Sequence, residues 1–216
     1  DGSRPHVLVM TATPSPRTVA MTVFGDVDVS TLSELPAGRG AIATHVVAAH
    51  ENPRHLTRVW ERVREEVGQG HRVFVVCPRI GDDGAASPDE DLGELMEIDV
   101  DAAGSGDAGI RPAPMAGMVP LAARLADNEL AGLRVGILHG RMPAEEKEEA
   151  MRRFSEDEAP GSIDVLVATT VIEVGVDVPR ATTMVIMDAD RFGISQLHQL
   201  RGRVGRGSLP GLCLLV

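Results

Sequence analysis

Aromatic residues are scarce in this 216-residue chain: they make up 2% of it, with one tryptophan, four phenylalanines and no tyrosine. The core therefore has to be built from Val, Leu, Ile, Ala and Met within a hydrophobic share of 43%. A chain of this length suits one to two domains. No run of about 18 apolar residues occurs, so no membrane-spanning helix is expected. Cysteine is limited to Cys77 and Cys213, each inside an apolar run and without a zinc-type partner nearby. Both read as packed core thiols in a reducing compartment, and a cytoplasmic location is expected. His6, His45, His50, His55 and His71 form no ligand spacing, and no metal site is expected. Two further absences are chemical. There is no Gly-x-x-x-x-Gly-Lys-Ser/Thr loop and no Asp-Glu-x-His/Asp box after a strand, so neither a triphosphate cradle nor its magnesium carboxylates are expected in this chain. No signal peptide is visible at Asp1-Gly2-Ser3-Arg4, and Leu212–Val216 stops within an apolar run. The chain reads as a piece of a longer protein.

Positive charge is also short, with a net charge of −11. That balance alone argues against a nucleic-acid partner, but its distribution does not. Residues 81–110 carry ten acidic side chains and no Lys or Arg. Without them the chain is close to neutral, and it ends in a cluster of Arg191, Arg201, Arg203 and Arg206. Acidity is compatible with DNA provided that the acidic segment lies away from it. Residues 81–117 are rich in Gly, Ala, Asp and Pro. They read as a disordered insertion in which Leu92, Leu95, Met96 and Ile98 can make at most a short helical turn.

What is present is a rhythm. Apolar runs at 44–49, 72–77, 134–138, 163–168, 183–187 and 212–216 alternate with helix-like stretches at 119–130 and 144–154. Leu56, Val59, Trp60, Val63 and Val67 recur at helical spacing between the first two runs. Short continuous apolar strands separated by helices predict an α/β fold, a parallel sheet with helices on both faces. Ligand-binding motifs are expected beyond the carboxyl ends of its strands. Before this rhythm, residues 7–10 predict a strand ending at Thr11-Ala12-Thr13-Pro14, a helix follows over Arg17–Phe24, and 25–43 read as a linker. The chain thus divides at 43: residues 1–43 belong to one unit and its linker, and 44–216 to another.

The densest chemistry lies in Gln196-Leu197-His198-Gln199-Leu200-Arg201-Gly202-Arg203-Val204-Gly205-Arg206-Gly207. On a helix at about 100° per residue, Gln196, Gln199, Arg203 and Arg206 fall within an arc of about 80°, with Leu197, Leu200 and Val204 on the adjoining face. The glycines distort such a helix. Two guanidinium forks on one side suit phosphate, because each stays charged and offers several coplanar donors. A second segment runs from Ala168-Thr169-Thr170 through Gly175-Val176-Asp177-Val178-Pro179. Thr169 and Thr170 offer hydroxyls and N–H groups to phosphate at a strand end. Gly175 permits a close backbone approach, and Asp177 can accept a hydrogen bond from a ribose. A third, Leu138-His139-Gly140-Arg141-Met142-Pro143, lies between a strand and a helix, where N–H groups and Arg141 can hold a phosphate; an ordinary β–α turn is the alternative.

The 196–207 block resembles motif VI of the superfamily 2 helicases, Gln-x-x-Gly-Arg-x-x-Arg, at Gln199, Gly202, Arg203 and Arg206. Residues 168–179 resemble motif V, and Thr11-Ala12-Thr13-Pro14 resembles motif III in the expected order. The resemblance implies a RecA-like second lobe over 44–216, preceded by the tail of the first lobe. It implies catalytic roles for Arg203, Arg206 and Gln199, the arginines reaching the γ-phosphate of ATP bound by the other lobe. Gly175 and Asp177 would contact nucleotide. Thr11, Thr13, Thr169, Thr170, Gly140 and Arg141 would bind DNA or couple it to the nucleotide site. ATP and Mg2+ would be held mainly by the first lobe.

Strings such as Val27-Asp28-Val29-Ser30 to Leu35-Pro36, His139-Gly140-Arg141-Met142 and Arg191-Phe192-Gly193 are similar to the branched-DNA helicases of that superfamily. This implies a translocase that remodels stalled forks and Holliday junctions in recombination and repair. Its partners would be branched duplex DNA and, in the same parent chain, the first RecA-like lobe and a DNA-reading wedge domain, in a monomer. Three alternatives stay open: a transcription-repair coupling translocase, an RNA helicase, and an isolated module that binds without hydrolysing. For the half-motor reading, the chain alone is expected to show no ATP turnover with or without branched DNA. DNA-stimulated turnover from clean protein would overturn that reading.

Overall fold

The computed structural model describes Ser30 and residues 40–78, 115–156, 161–169 and 178–216. Six strands form one sheet: β1 (Ile42–Val46), β2 (Arg72–Cys77), β3 (Val135–Leu138), β4 (Val165–Thr169), β5 (Ala181–Ile186) and β6 (Gly211–Leu215). They lie in the order β1-β6-β5-β2-β4-β3, and every pairing is parallel. Four helices are described: α1 (Pro53–Gly68), α2 (Met115–Asp127), α3 (Ala144–Ser155) and α4 (Ile194–Arg201), with a 3-10 turn at Ala189–Arg191. This is the expected α/β sheet with helices on both faces. None of the described helices is long and apolar enough to cross a membrane.

The central strands are buried along their whole length, as Val-rich runs covered on both sides should be. Alternate residues serve opposite faces. Val73, Val75, Val165 and Val167 pack with Val59, Trp60 and Val63 of α1 and with Leu125 of α2. Phe74, Val76, Leu166 and Ala168 pack with Met151 and Phe154 of α3 and with Leu200 of α4. The Phe74 and Phe154 rings meet at 4.7 Å. This pair joins sheet to helix on its face; among the described residues Phe192 is buried in the same cluster, and aliphatic side chains supply most of the remainder.

Boundaries shift where local chemistry competes with the apolar pattern. The first strand runs over Ile42–Val46 rather than 44–49. The chain must turn before α1, whose start is set by Pro53 and by the Asn52 side chain accepting the Arg54 N–H at 3.0 Å. Its register follows from Ile42 pairing with Gly211. Helix α2 begins at Met115, inside the segment read as insertion, and tolerates Pro120. The segments containing residues 7–24 and 81–110 lie outside the described residues, as does the linker except for Ser30 and residues 40–43.

Two polar clusters close the amino edge. Glu66, buried at the end of α1, accepts from Thr182 Oγ1 at 2.7 Å, pairs with His71 Nδ1 at 2.7 Å, and bonds Arg62. Asp164, 6% exposed, accepts from Arg72 Nη1 at 2.9 Å, from Arg134 Nη2 at 2.6 Å and from the Arg134 N–H at 2.9 Å. Burial pushes the Asp164 carboxyl up, but the hydrogen bonds from Arg134 and the charges of Arg134 and Arg72 outweigh it, so it titrates below the ordinary aspartate value. Its ionised form therefore stabilises the fold above the unfolded pKa of about 3.9, and that contribution is lost as pH falls through the lower folded value. Asp164→Asn leaves Arg72 buried without its counter-charge and is expected to cost about 3 kcal/mol near neutral pH. Urea unfolding of both proteins checks this, and the gap should narrow as Asp164 protonates in acid.

Candidate functional site

The block read as a single helix over 196–207 divides in two. Gly193 precedes α4, and its N–H donates to Gln196 Oε1 at 3.1 Å. The Gln196 amide thus caps its own helix rather than joining an arginine face. Helix α4 stops at Arg201. The Gly202 N–H donates to His198 O at 3.1 Å, and the Arg203 N–H donates to Leu200 O at 2.9 Å. Arg203 and Arg206 therefore leave from a turn, half-buried, while Gln199 is exposed on the helix. The common arc of Gln199, Arg203 and Arg206 is not formed as a helix face.

What stops the helix is packing. Leu200 and Val204 are both buried in the same cluster. Gly205 takes φ +64 and donates its N–H to Ala181 O at 3.3 Å. A Cβ on Gly205 would stand 3.1 Å from Ile42 Cγ1 and 3.3 Å from Gly211 Cα. Gly205 thus lets the turn press onto the starts of β1, β5 and β6. Within the turn, Arg206 Nε donates to Gly202 O at 3.2 Å.

This location corrects the expectation that all motifs lie beyond the carboxyl ends. Helix α4 connects β5 to its parallel neighbour β6, so it must carry the chain back to the amino edge. Arg203 and Arg206 emerge there. Thr169, 5% exposed, ends β4 at the opposite edge. Gly140 and Arg141 lie just past β3, which pairs with β4 with Leu138 beside Ala168. The fold brings Thr169, Gly140 and Arg141 to neighbouring strand ends, with Gly140 and Arg141 exposed. Their turn closes through the Met142 N–H to His139 O at 3.2 Å. Helix α3 starts behind it without a side-chain cap and carries Glu145 and Glu146 in its first turn. These carboxylates suit the helix dipole but oppose a phosphate at that terminus, so Arg141 would have to supply the attraction.

Thr11, Thr13, Thr170, Gly175 and Asp177 lie outside the described residues. Pro179, two residues after Asp177 in sequence, is described. A Cβ on Gly207 would stand 3.1 Å from Pro179 O, so the second motif's end abuts the arginine turn. Cys77 and Cys213 are buried, and burial pushes their thiols up to about 12 and about 11, with Asp188 adding to the first and Arg201 opposing the second. Neither can serve as a thiolate near neutral pH. Among the described residues no group of three His, Cys, Asp or Glu could hold a metal ion. Reading along the sequence placed Arg201 in the arginine cluster but missed its partner: its Nη2 donates to Ile42 O at 3.0 Å across 159 residues. No local signal announces a partner that distant.

Six parallel strands, helices on both faces and an arginine-bearing turn at the amino edge define the C-terminal lobe of a RecA-like helicase. The family model for the helicase conserved C-terminal domain matches residues 115–208. Within that class the chain belongs by sequence with the RecG helicases. It is 51% identical over 214 residues, 99% of its length, to the ATP-dependent DNA helicase RecG of Mycobacterium tuberculosis. It is 42% identical over 215 residues to RecG of Bacillus subtilis. It spans about a quarter of each, 26%. The structure of RecG bound to a three-way DNA junction matches with a TM-score of 0.63 at 38% identity, covering 95% of this chain and 22% of that one.

The positive φ at Gly205 and its contact with Ile42 generate a test. Gly205→Ala is expected to cost about 2 kcal/mol, read as a lowered urea midpoint for the lobe.

Proposed function

We propose that this chain is the second lobe of an ATP-dependent translocase that remodels branched DNA in repair and recombination. In this reading Arg203 and Arg206 contact the phosphates of ATP held by the first lobe, Gln199 on α4 assists from the helix, and Gly175 and Asp177 contact the nucleotide. The observation that carries it is the arginine turn. Buried Val204 and the left-handed Gly205 fix the backbone between two half-buried guanidiniums at one edge of a rigid sheet. Guanidiniums placed this way can stabilise charge on a transferring phosphoryl group without reorganising. Mg2+ would accompany ATP on first-lobe carboxylates outside this chain.

DNA would lie along the other edge, on Thr169, Gly140 and Arg141, with Thr170 as a further contact and Thr11 and Thr13 linking DNA to the nucleotide. Lobe closure around ATP would then move one DNA grip relative to another, and hydrolysis would release it. The naming of the relatives as ATP-dependent DNA helicases, and the junction held by the matching RecG structure, support branched DNA over RNA. Two buried, unpaired thiols fit a reducing compartment such as the cytoplasm.

In the full-length protein carrying this lobe, Arg206→Ala is expected to lower junction-stimulated ATP turnover by about 10³-fold or more. Junction affinity at fixed salt should stay within a few-fold. Unchanged turnover would remove the assignment, and stronger stimulation by RNA than by a DNA junction would favour an RNA helicase.

A further inference from the structure

Arg201 is part of the arginine block but stands at a variable position of the Gln-x-x-Gly-Arg-x-x-Arg pattern, and its guanidinium points away from a phosphate role. Nη2 donates to the carbonyl of Ile42 at 3.0 Å, and Nε is buried without a hydrogen-bond partner. Ile42 is the first residue of β1, so this bond ties the end of α4 to the segment that leads into the lobe. The same segment is tied to the other side of the arginine turn. The Gly40 N–H donates to Gly207 O at 3.1 Å, and the Gly211 N–H donates to Ala41 O at 2.9 Å. Gly40 fits so closely that a Cβ there would stand 2.2 Å from Leu209 O.

Residues 40–42 are thus held at 201 before the two motif arginines and at 207 and 211 after them. Arg203 and Arg206 are suspended between these fixed points. A strand ladder alone would secure β1 to β6. It would not require a guanidinium from α4 to reach back to Ile42. We infer that Arg201 is a positioning residue: it locks the entering segment, residues 40–42, to the arginine turn, so that Arg203 and Arg206 are correctly set only when that segment is seated. The inference rests on the proposed phosphate contact of those two arginines. Movement of the entering segment is transmitted to the turn because both ends of the turn bond to it.

The test uses the full-length protein that carries this chain. Arg201→Met keeps the apolar stem and removes the donor. It is expected to lower the kcat of junction-stimulated ATP hydrolysis by about 10- to 100-fold, the scale of a displacement near 1 Å in a catalytic group. KM for ATP and junction affinity should stay within about threefold, and Arg201→Lys, which keeps a charged donor, should regain part of kcat. Gly40→Ala attacks the same lock from the other side. Combined with Arg201→Met it should lower kcat little more than the worse single change, because one lock is broken twice. If Arg201→Met does not fold, Gly40→Ala alone carries the kcat measurement. Wild-type kcat in the folded variants would overturn the inference. So would a kcat loss that Lys does not restore, or losses that multiply in the double variant. Arg206→Ala separates this from the parent reading: if it turns over normally, the phosphate contact itself fails. If it is inactive while Arg201→Met is normal, only the lock fails.

Discussion

Every strand of the sheet runs in the same direction, so every connection has to carry the chain back from the carboxyl edge to the amino edge. That one constraint separates the chemistry of the lobe. Residues placed directly after strands, such as Thr169, Gly140 and Arg141, stay at the carboxyl edge. Residues placed after a crossover helix, such as Arg203 and Arg206, arrive at the amino edge beside Ala181, Ile42 and Gly211. Among the described residues, Thr169, Gly140 and Arg141, proposed for nucleic acid, thus sit at the edge opposite Arg203 and Arg206, proposed for nucleotide. A layer buried on both faces has little freedom to deform, so force applied at one edge reaches the other through the strands.

The arginine turn is held where residues of its own string pack against distant parts of the lobe. Leu200 and Val204 anchor it in the core. Gly205 makes the left-handed bend and lets Ile42 approach. Gly207 lies against Pro179, which joins the end of the Thr169–Pro179 segment to the same turn. The string is therefore a packing instruction as much as a chemical one: its apolar and glycine positions determine where its guanidiniums stand.

Electrostatics divides the molecule in a comparable way. Asp164 and Glu66 are buried at the amino edge and satisfied by arginine, histidine and threonine partners, so their charges are spent on the fold. At the carboxyl edge, Glu145 and Glu146 stand at the start of α3 behind Arg141. A phosphate bound there would need Arg141 to outweigh them. Net charge, summed over the whole chain, describes neither edge.

Much of this was legible along the chain. The continuous apolar runs of 72–77 and 163–168 announced strands covered on both faces. The spacing of Val59, Trp60 and Val63 announced the helix that covers one of them. The arginine–glycine string suggested the phosphate contact that the proposed function carries forward. Periodicity and composition are local, and these features are local too. The helix read over 196–207 ends at Arg201, because its end is decided by Val204 entering a core assembled from strands far away in sequence, and by Gly205 meeting Ile42. The edge on which the arginines emerge depended on β5 and β6 being parallel neighbours. The sequence by itself determined the elements, their faces and the chemical type of each side chain. Strand order, the edge each motif occupies and the partner of Arg201 were decided only by tertiary structure, because each depends on contacts between residues that the sequence holds far apart.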